Sequence, residues 1–290
     1  MYFGHIVTAM VTPFTHEGLI DVENTKKLID YLIANGTDAI VVSGTTGESP
    51  TLTTDEKLEL FDVCVQHVNK RIPVIAGTGS NNTQASIELT KRAESIGVDG
   101  IMLVAPYYNK PSQEGMYEHF KKVAESTDLP IMLYNVPGRT GVQILAETTI
   151  ALSKISNIVS IKEASGDLEQ MASIVSAVEE DFTLYTGDDA NALPAMAIGA
   201  IGVVSVASHV IGNEMKEMID FYKRGKVKEA AKAHRTLLPT MKAMFLAPNP
   251  TCVKFALAEK GLDVGDVRLP LLSLTHDQKA IVKASLLKRS

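Results

Sequence analysis

The chain has few of the residues that stabilise small secreted domains or bind charged polymers. Its 290 residues include two cysteines, Cys64 and Cys252, which are too few for a disulfide framework or a thiolate metal cage. Its 28 Lys and Arg residues are outnumbered by 34 Asp and Glu residues, and the net charge is −6. Nucleic acids and anionic membranes need clustered basic side chains to neutralise phosphates. The composition therefore argues against both partners.

Long apolar runs are also missing. No stretch approaches the roughly 18–20 apolar residues that a membrane-spanning helix needs. The N-terminal sequence MYFGHIVTAMVTPF lacks the charged segment and long apolar stretch of a signal peptide. Hydrophobic residues make up 45% of the chain and charged residues 21%, which excludes a disordered protein. We therefore expect a globular, cytoplasmic protein whose two cysteines are buried free thiols.

The sequence does contain short apolar runs at regular intervals. Most are continuous, such as IMLVA and IMLYN, which is typical of strands buried on both faces of a parallel sheet. Helical patterns separate the runs, so that eight strand–helix units fill about 220 residues. The predicted strands are Ile6–Thr12, Ala39–Ser43, Pro73–Gly77, Gly100–Ala105, Pro130–Asn135, Val159–Glu163, Thr183–Gly187 and Gly202–Ala207.

Strict alternation of strand and helix forces parallel strands, and eight units predict a closed (β/α)8 barrel, an α/β fold. A doubly wound sheet is the alternative, but no GxGxxG follows the first strand. The alternation stops at Lys226, and no Ser/Gly-rich linker follows. We predict a catalytic barrel over residues 1–224 and a helical region over residues 225–290 that packs on it. The helices predicted in that region are Lys226–Leu246, Pro250–Lys260 and Thr275–Lys288.

Lys162 is the sharpest candidate for chemistry, because active sites of parallel α/β folds lie at the carboxyl ends of strands. It lies inside the apolar strand IVSIKEAS. Burial disfavours a charged amine, so such a lysine is either paired or neutral, and a neutral amine attacks ketones to form a Schiff base. An ion pair with Glu163 is the alternative. This pairing is unfavourable, because consecutive residues of a strand face opposite sides of the sheet.

The loop after the second strand, GTTGES, is a candidate anion site. Gly44 and Gly47 permit tight turns with exposed N–H groups, and Thr45 and Thr46 add hydroxyl donors. The loop lacks the GK[ST] ending of a phosphate-binding P-loop, which argues against a nucleotide. An ordinary glycine turn is the alternative interpretation.

The fourth and fifth strands also end in candidate residues. Tyr107 and Tyr108 follow strand four and suit either proton relay or aromatic packing. Tyr134 ends strand five and is followed by VPGRTG, in which Arg139 lies on a loop stiffened by Pro and Gly. A guanidinium held there suits bidentate capture of a carboxylate, and a surface salt bridge is the alternative.

Asp188 and Asp189 follow strand seven. Two acids there suit either a divalent metal or the cap of the next helix, and we favour the cap because no third ligand has suitable spacing. The seven histidines are scattered and form no HExxH pattern. The sequence therefore predicts no metal site.

Together, GTTGES, IKEAS and YNVPGRTG resemble the pyruvate-dependent Schiff-base lyases and aldolases. The resemblance runs nearly end to end, from TAMVTPF through AGTGSN, APYYNKPSQEG and TGDD to NPTCVK and VRLPLL. PGRTG and PYYNKPSQEG are similar to the members that condense pyruvate with L-aspartate-4-semialdehyde in the diaminopimelate route to lysine. The resemblance implies a barrel with C-terminal helices, a homotetramer built as a dimer of dimers, and no metal or organic cofactor.

The resemblance also implies a catalytic role for four residues. Lys162 matches the lysine that forms the imine with pyruvate, and Tyr134 matches the tyrosine that donates and accepts protons beside it. Thr45 matches the threonine that links this tyrosine to a second one. Tyr108 matches the second tyrosine, which a neighbouring subunit inserts.

Four further positions match substrate-binding residues of the family. Thr46 matches a residue that holds the pyruvate carboxylate, and Arg139 matches the arginine that binds the carboxylate of the aldehyde substrate. Gly187 and Val204 match residues that line the pyruvate pocket.

The sequence departs from the family at the pocket that binds lysine in its lysine-inhibited members. Thr54 and Lys57 stand where those members tend to have histidines, and Ala85 stands where they have glutamate. A cationic ligand should bind poorly when a carboxylate is missing and an ammonium is added. We therefore predict weak or absent inhibition by lysine. The matching positions that are kept are Ser49, Asn81 and Tyr107.

Two other functions stay open. A retro-aldol lyase acting on sialic acid or a 2-keto-3-deoxy sugar acid would share Lys162 and Tyr134, but a polyol substrate needs hydroxyl partners where Arg139 stands. A non-catalytic barrel that senses pyruvate or forms a scaffold is the second, since fold alone does not decide function.

Overall fold

The strands of this protein are short, parallel and almost fully buried. They are β1 (Ile6–Ala9), β2 (Ala39–Val42), β3 (Val74–Gly77), β4 (Gly100–Val104), β5 (Ile131–Asn135), β6 (Ile158–Glu163), β7 (Thr183–Thr186) and β8 (Gly202–Ser205). The computed structural model describes residues 3–287. Each strand pairs with the next, and Val7 of β1 pairs with Val204 of β8, which closes the sheet. The predicted (β/α)8 barrel is confirmed.

Helices follow the strands and then continue beyond the barrel. Around the barrel lie α1 (Val22–Ala34), α2 (Thr54–Val68), α3 (Thr83–Ile96), α4 (Gln113–Ala124), α5 (Pro137–Thr140), α6 (Ala146–Leu152), α7 (Leu168–Ala177), α8 (Ala192–Ala197) and α9 (Ser208–Lys223). Beyond them come α10 (Val227–Ala243), α11 (Thr251–Glu259) and α12 (His276–Leu287). Lys288, the predicted end of the last helix, lies outside the described residues.

Polar side chains set the starts of several helices. Asp21 accepts a hydrogen bond from the backbone N–H of Asn24 at the start of α1. Thr53 and Glu56 form a capping box at the start of α2. At the other end of α3, Gly97 takes the left-handed φ of 97° that ends a helix. These local signals fix where the three helices begin or end.

The core has two layers because alternate strand residues face opposite sides. Ile40, Leu133 and Ile161 pack outward against the helices. Val41, Tyr134 and Val204 belong to the second cluster, which fills the barrel interior. Most of that second cluster is aliphatic, so polar groups reach the interior from a few strand residues, which restricts where chemistry can take place.

The helices after the barrel pack on it as one group. α10 packs against α9, and α12 packs against α10 and α11. The division into residues 1–224 and 225–290 stays a prediction. Within residues 3–287, no helix is both long enough and apolar enough to cross a membrane.

Candidate active site

Lys162 and Tyr134 lie side by side on neighbouring strands. The register of β5 and β6 pairs Tyr134 with Lys162. The Lys162 Nζ atom lies 4.1 Å from the centroid of the Tyr134 ring, a cation–π distance. Both side chains are buried, with 5% and 4% of their surface exposed. The primary amine and the phenol that the sequence singled out are therefore in contact within the barrel.

The opposite face of the same two strands holds a buried carboxylate network. Glu163 accepts hydrogen bonds from Asn135 Nδ2 at 2.9 Å and from Gln170 Nε2 at 2.7 Å. The backbone N–H of Ser165 donates to the other carboxylate oxygen at 2.8 Å. Glu163 therefore does not pair with Lys162, and that alternative interpretation is wrong. Lys162 has no ion-pair partner within the described part of the chain.

Gly187 packs directly against Lys162. A Cβ atom at this position would lie 2.9 Å from Lys162 Cε and 2.6 Å from Ala164 Cβ. Any other residue would therefore displace the lysine side chain. Val204 belongs to the same interior cluster as Tyr134. Both residues predicted to line the pyruvate pocket thus lie on the interior side of the barrel, where Lys162 and Tyr134 meet.

A cavity of about 490 Å³ opens beside these residues. Four predicted site residues line it: Thr45, Tyr108, Tyr134 and Arg139. The glycines at positions 77 and 79 also line it, and a Cβ atom on either would lie 2.5 Å from backbone atoms. The other four predicted residues, Thr46, Lys162, Gly187 and Val204, lie outside this lining.

The loop after β2 is tightly folded and largely buried. Ser43 and Glu48 adopt left-handed φ angles of 57° and 56°, which is uncommon for residues with a side chain. Thr46 is 2% exposed, and its Oγ1 accepts a hydrogen bond from Asn249 Nδ2 at 2.9 Å. Gly47 O accepts a hydrogen bond of 2.7 Å from the hydroxyl of Thr12. This is more than an ordinary glycine turn, because side chains from elsewhere hold it.

A buried ion pair ties the same loop to α11. Lys254 Nζ lies 2.8 Å from Glu48 Oε1, and both side chains are at most 3% exposed. The backbone N–H of Arg268 donates to the second oxygen of Glu48 at 2.9 Å. Burial lowers the pKa of Lys254, and the negative charge of Glu48 opposes that shift. Sequence reasoning did not identify this pair, because the two residues are far apart in the chain and each lies in an unremarkable local pattern.

Two of the predicted site residues that line the cavity are exposed. Tyr108 is 88% exposed and has a φ of 70°. Arg139 lies on α5, is exposed, and has no acidic partner within residues 3–287, so the predicted alternative of a surface salt bridge is not formed. Within the described residues of the single chain, the hydroxyls of Thr45, Tyr134 and Tyr108 are not hydrogen-bonded to one another.

The acidic pair after β7 is structural. Asp188 accepts a hydrogen bond from Ala190 N at 3.0 Å, which confirms the predicted cap. Asp189 is buried and accepts from the backbone N–H groups of Val206 and Ala207 at 3.1 and 2.8 Å. Desolvation raises the pKa of Asp189 to about 6 despite these bonds. Among the described residues, no three His, Cys, Asp or Glu side chains are grouped closely enough to hold a metal.

Both cysteines are free and buried, as expected. Burial raises the pKa of the Cys64 thiol far above its usual range. Such a thiol stays protonated and is a poor nucleophile. Neither cysteine is therefore a candidate nucleophile.

Comparison with known proteins identifies the family of this chain. The sequence model of the dihydrodipicolinate synthetase family matches residues 2–289. The 4-hydroxy-tetrahydrodipicolinate synthase 1 of Halalkalibacterium halodurans is 61% identical over 279 residues, which cover 96% of this chain and 95% of the relative. Dihydrodipicolinate synthase DapA-2 from Bacillus anthracis has a crystal structure that is similar at a TM-score of 0.97 and 60% identity, covering 99% and 98% of the two chains. The lysine-bound enzyme of Cyanidioschyzon merolae has a TM-score of 0.97 at 46% identity, with the same coverage. The chain belongs to the dihydrodipicolinate synthetase family.

Proposed function

We propose that the protein is a lyase-class enzyme that condenses pyruvate with L-aspartate-4-semialdehyde to 4-hydroxy-tetrahydrodipicolinate, a step of lysine biosynthesis. One observation carries the proposal: a buried lysine without an acidic partner among the described residues, 4.1 Å from a tyrosine ring, inside a barrel. Close relatives that are named as this synthase support the same reaction. No organic cofactor is part of the proposed chemistry.

In the first half of the reaction, Lys162 forms a covalent bond with pyruvate. The nitrogen of its amine attacks the ketone carbon, the oxygen leaves as water, and an iminium remains. Thr46 and the N–H groups of its loop hold the pyruvate carboxylate, while Gly187 and Val204 shape the space around it. The iminium withdraws electrons, so a methyl proton leaves toward Tyr134 and an enamine forms.

In the second half, the enamine carbon attacks the aldehyde carbon of the semialdehyde. The aldehyde oxygen takes a proton and becomes the 4-hydroxyl group. The amino group of the same molecule then attacks the iminium carbon, which closes the ring and releases the amine of Lys162. Each step moves a proton, and the hydroxyls of Thr45, Tyr134 and Tyr108 are the groups that would carry it.

Arg139 is proposed to select the second substrate. Its guanidinium is exposed on the cavity lining and has no acidic partner among the described residues, so it is free to bind a carboxylate. A retro-aldol lyase on a sugar acid would share Lys162 and Tyr134. The arginine and the named relatives favour the condensation over this second reaction.

Tyr108 supports a homo-oligomer, which we propose to be a tetramer formed as a dimer of dimers. A tyrosine with 88% of its surface exposed leaves a large aromatic ring uncovered, and a neighbouring subunit would cover it. Its hydroxyl is not hydrogen-bonded to Tyr134 or Thr45 within residues 3–287 of one chain. In the proposed assembly, Tyr108 completes the proton path in the site of a neighbouring subunit.

Reductive trapping tests the proposal directly. Borohydride added with pyruvate should label the wild-type protein with one pyruvate-derived adduct per chain at Lys162, measured by mass spectrometry of peptides. Lys162→Ala should lose the adduct and at least about a thousandfold of the condensation activity. Lys154→Ala is the matched control, because Lys154 is exposed just before β6. Labelling of Lys162→Ala at the wild-type level would show that another residue is the nucleophile.

A further inference from the structure

The hydroxyl of Thr46 takes part in a single hydrogen bond within residues 3–287, the one that it accepts from Asn249 Nδ2 at 2.9 Å. A threonine hydroxyl has one hydrogen to donate. Because the amide of Asn249 occupies an acceptor position of Oγ1, the hydrogen is left to point away from Asn249. It is therefore available to a ligand beside the loop.

Asn249 is a buried polar residue in a position where an apolar side chain would be expected. The residue is 6% exposed, and its Oδ1 atom is buried without a hydrogen-bond partner in the described part of the chain. A buried polar atom without a partner costs stability, and an apolar side chain would avoid that cost. The contact with Thr46 is the one polar interaction that the amide makes there.

Asn249 lies in the turn just before α11. The backbone N–H of Thr251 donates to Pro248 O at 3.0 Å, and one turn later Lys254 forms the buried ion pair with Glu48. Two contacts therefore join the same two segments, Asn249 with Thr46 and Lys254 with Glu48. With both in place, the direction of the Asn249 amide is fixed relative to the loop after β2.

We propose that Asn249 is a positioning residue for pyruvate binding, which orients the Thr46 hydroxyl so that it donates to the substrate carboxylate. The inference rests on the proposed function, because it requires Thr46 to hold that carboxylate. It assigns to the C-terminal helical region an indirect part in substrate recognition, because Asn249 acts through Thr46 and does not touch pyruvate.

A double-mutant cycle tests this coupling. Thr46→Val keeps the branched shape and should raise the KM for pyruvate about tenfold to a hundredfold, as expected for a lost hydrogen bond to a charged group. Asn249→Ala should raise it about three- to tenfold, with little change in kcat or in the KM for the semialdehyde. In the Thr46→Val background, Asn249→Ala should have almost no further effect.

An isosteric variant tests the direction of the hydrogen bond. In Asn249→Asp, the carboxylate accepts the Thr46 hydrogen and turns it away from pyruvate. It also adds a negative charge close to the bound carboxylate. The KM for pyruvate should therefore rise more in Asn249→Asp than in Asn249→Ala. If Asn249→Asp binds pyruvate as well as the wild type does, the amide does not act as the proposed donor.

Two further outcomes separate the inference from the proposed function. Equal effects of Asn249→Ala in the wild-type and Thr46→Val backgrounds would overturn the inference and leave the function intact. An unchanged pyruvate KM in Thr46→Val itself would overturn both the inference and the proposed role of Thr46. The structural control is Thr240→Val, which removes a buried 2.8 Å hydrogen bond to Ser285 O within the helical region. It should lower the unfolding temperature without changing the KM for pyruvate.

Discussion

Two buried carboxylates flank the proposed reaction centre and are stabilised in different ways. Glu163, on β6, accepts hydrogen bonds from neutral groups, among them the amides of Asn135 and Gln170. Glu48, in the loop after β2, is paired with the ammonium of Lys254 from α11. The first arrangement is built from two adjacent strands and the helix that follows, whereas the second joins segments that are far apart in the chain.

The difference shows that the two halves of the site depend on different parts of the fold. The half that holds Lys162 and Tyr134 is formed as soon as β5 and β6 pair in register. The half that holds Thr46 requires the C-terminal helical region to be docked. Loss of Lys254 leaves the charge of Glu48 buried without its counterion, whereas replacing Glu163 by Gln removes the buried charge itself. The first change should therefore cost more stability than the second.

The largest effect is expected from Lys254→Met. This change leaves Glu48 buried without its cation, and such a loss costs about 3–5 kcal/mol of folding free energy. Urea denaturation should measure the loss. Lys260→Met is the matched control, since Lys260 is exposed one residue after α11, and it should change stability by less than about 0.5 kcal/mol. A loss below about 1 kcal/mol in Lys254→Met would remove the proposed contrast between the two carboxylates.

A smaller effect is expected from Glu163→Gln. The variant keeps the shape of the side chain but turns an NH2 group toward N–H donors. It also weakens the charge-assisted hydrogen bonds, and we expect a loss of about 2 kcal/mol of folding free energy. Urea denaturation again provides the measurement, with the exposed Glu169→Gln as the control on α7. The contrast between the two sites would be reversed if Glu163→Gln proved more damaging than Lys254→Met.

The smallest effect is expected from added lysine. Lys57 lies on the cavity lining without an acidic partner in residues 3–287, and burial lowers its pKa. Ala85 supplies no carboxylate to bind an ammonium group. Millimolar lysine should therefore leave the condensation rate almost unchanged, as measured in a steady-state assay. A double variant, Lys57→His with Ala85→Glu, should bind lysine more tightly than the wild type. Half-inhibition of the wild-type enzyme by sub-millimolar lysine would contradict the prediction.

Structural features that have a local signal could be predicted from the sequence alone. Continuous apolar runs located all eight strands to within a few residues, because the runs are short and are separated by helical patterns, as in a parallel sheet buried on both faces. Lys162 was evident because a charged residue interrupts such a run. Asp188 was predicted as a cap from its position before a helix, and the structure agrees.

Other features have no local signal. The helix α9 begins at Ser208 and has non-helical backbone angles at Ile211, a break that no local sequence pattern indicates. The short α5 runs from Pro137 to Thr140, and four residues are too few to show an amphipathic pattern. Asn249 and Lys254 lie in NPTCVK, which indicates only the start of a helix, and their partners in GTTGES are about two hundred residues away.

The Glu48–Lys254 pair also has a consequence for the order of events during synthesis. Chains emerge from the ribosome from the N-terminus, at about 5–20 residues per second, and early segments begin to fold first. When β8 has emerged, the barrel strands and Lys162 are all present, but Lys254 lies about fifty residues later in the chain and has not emerged. A nascent chain at that stage therefore contains the barrel strands before Glu48 has its cation. The loop after β2 is completed only when the C-terminal helices follow.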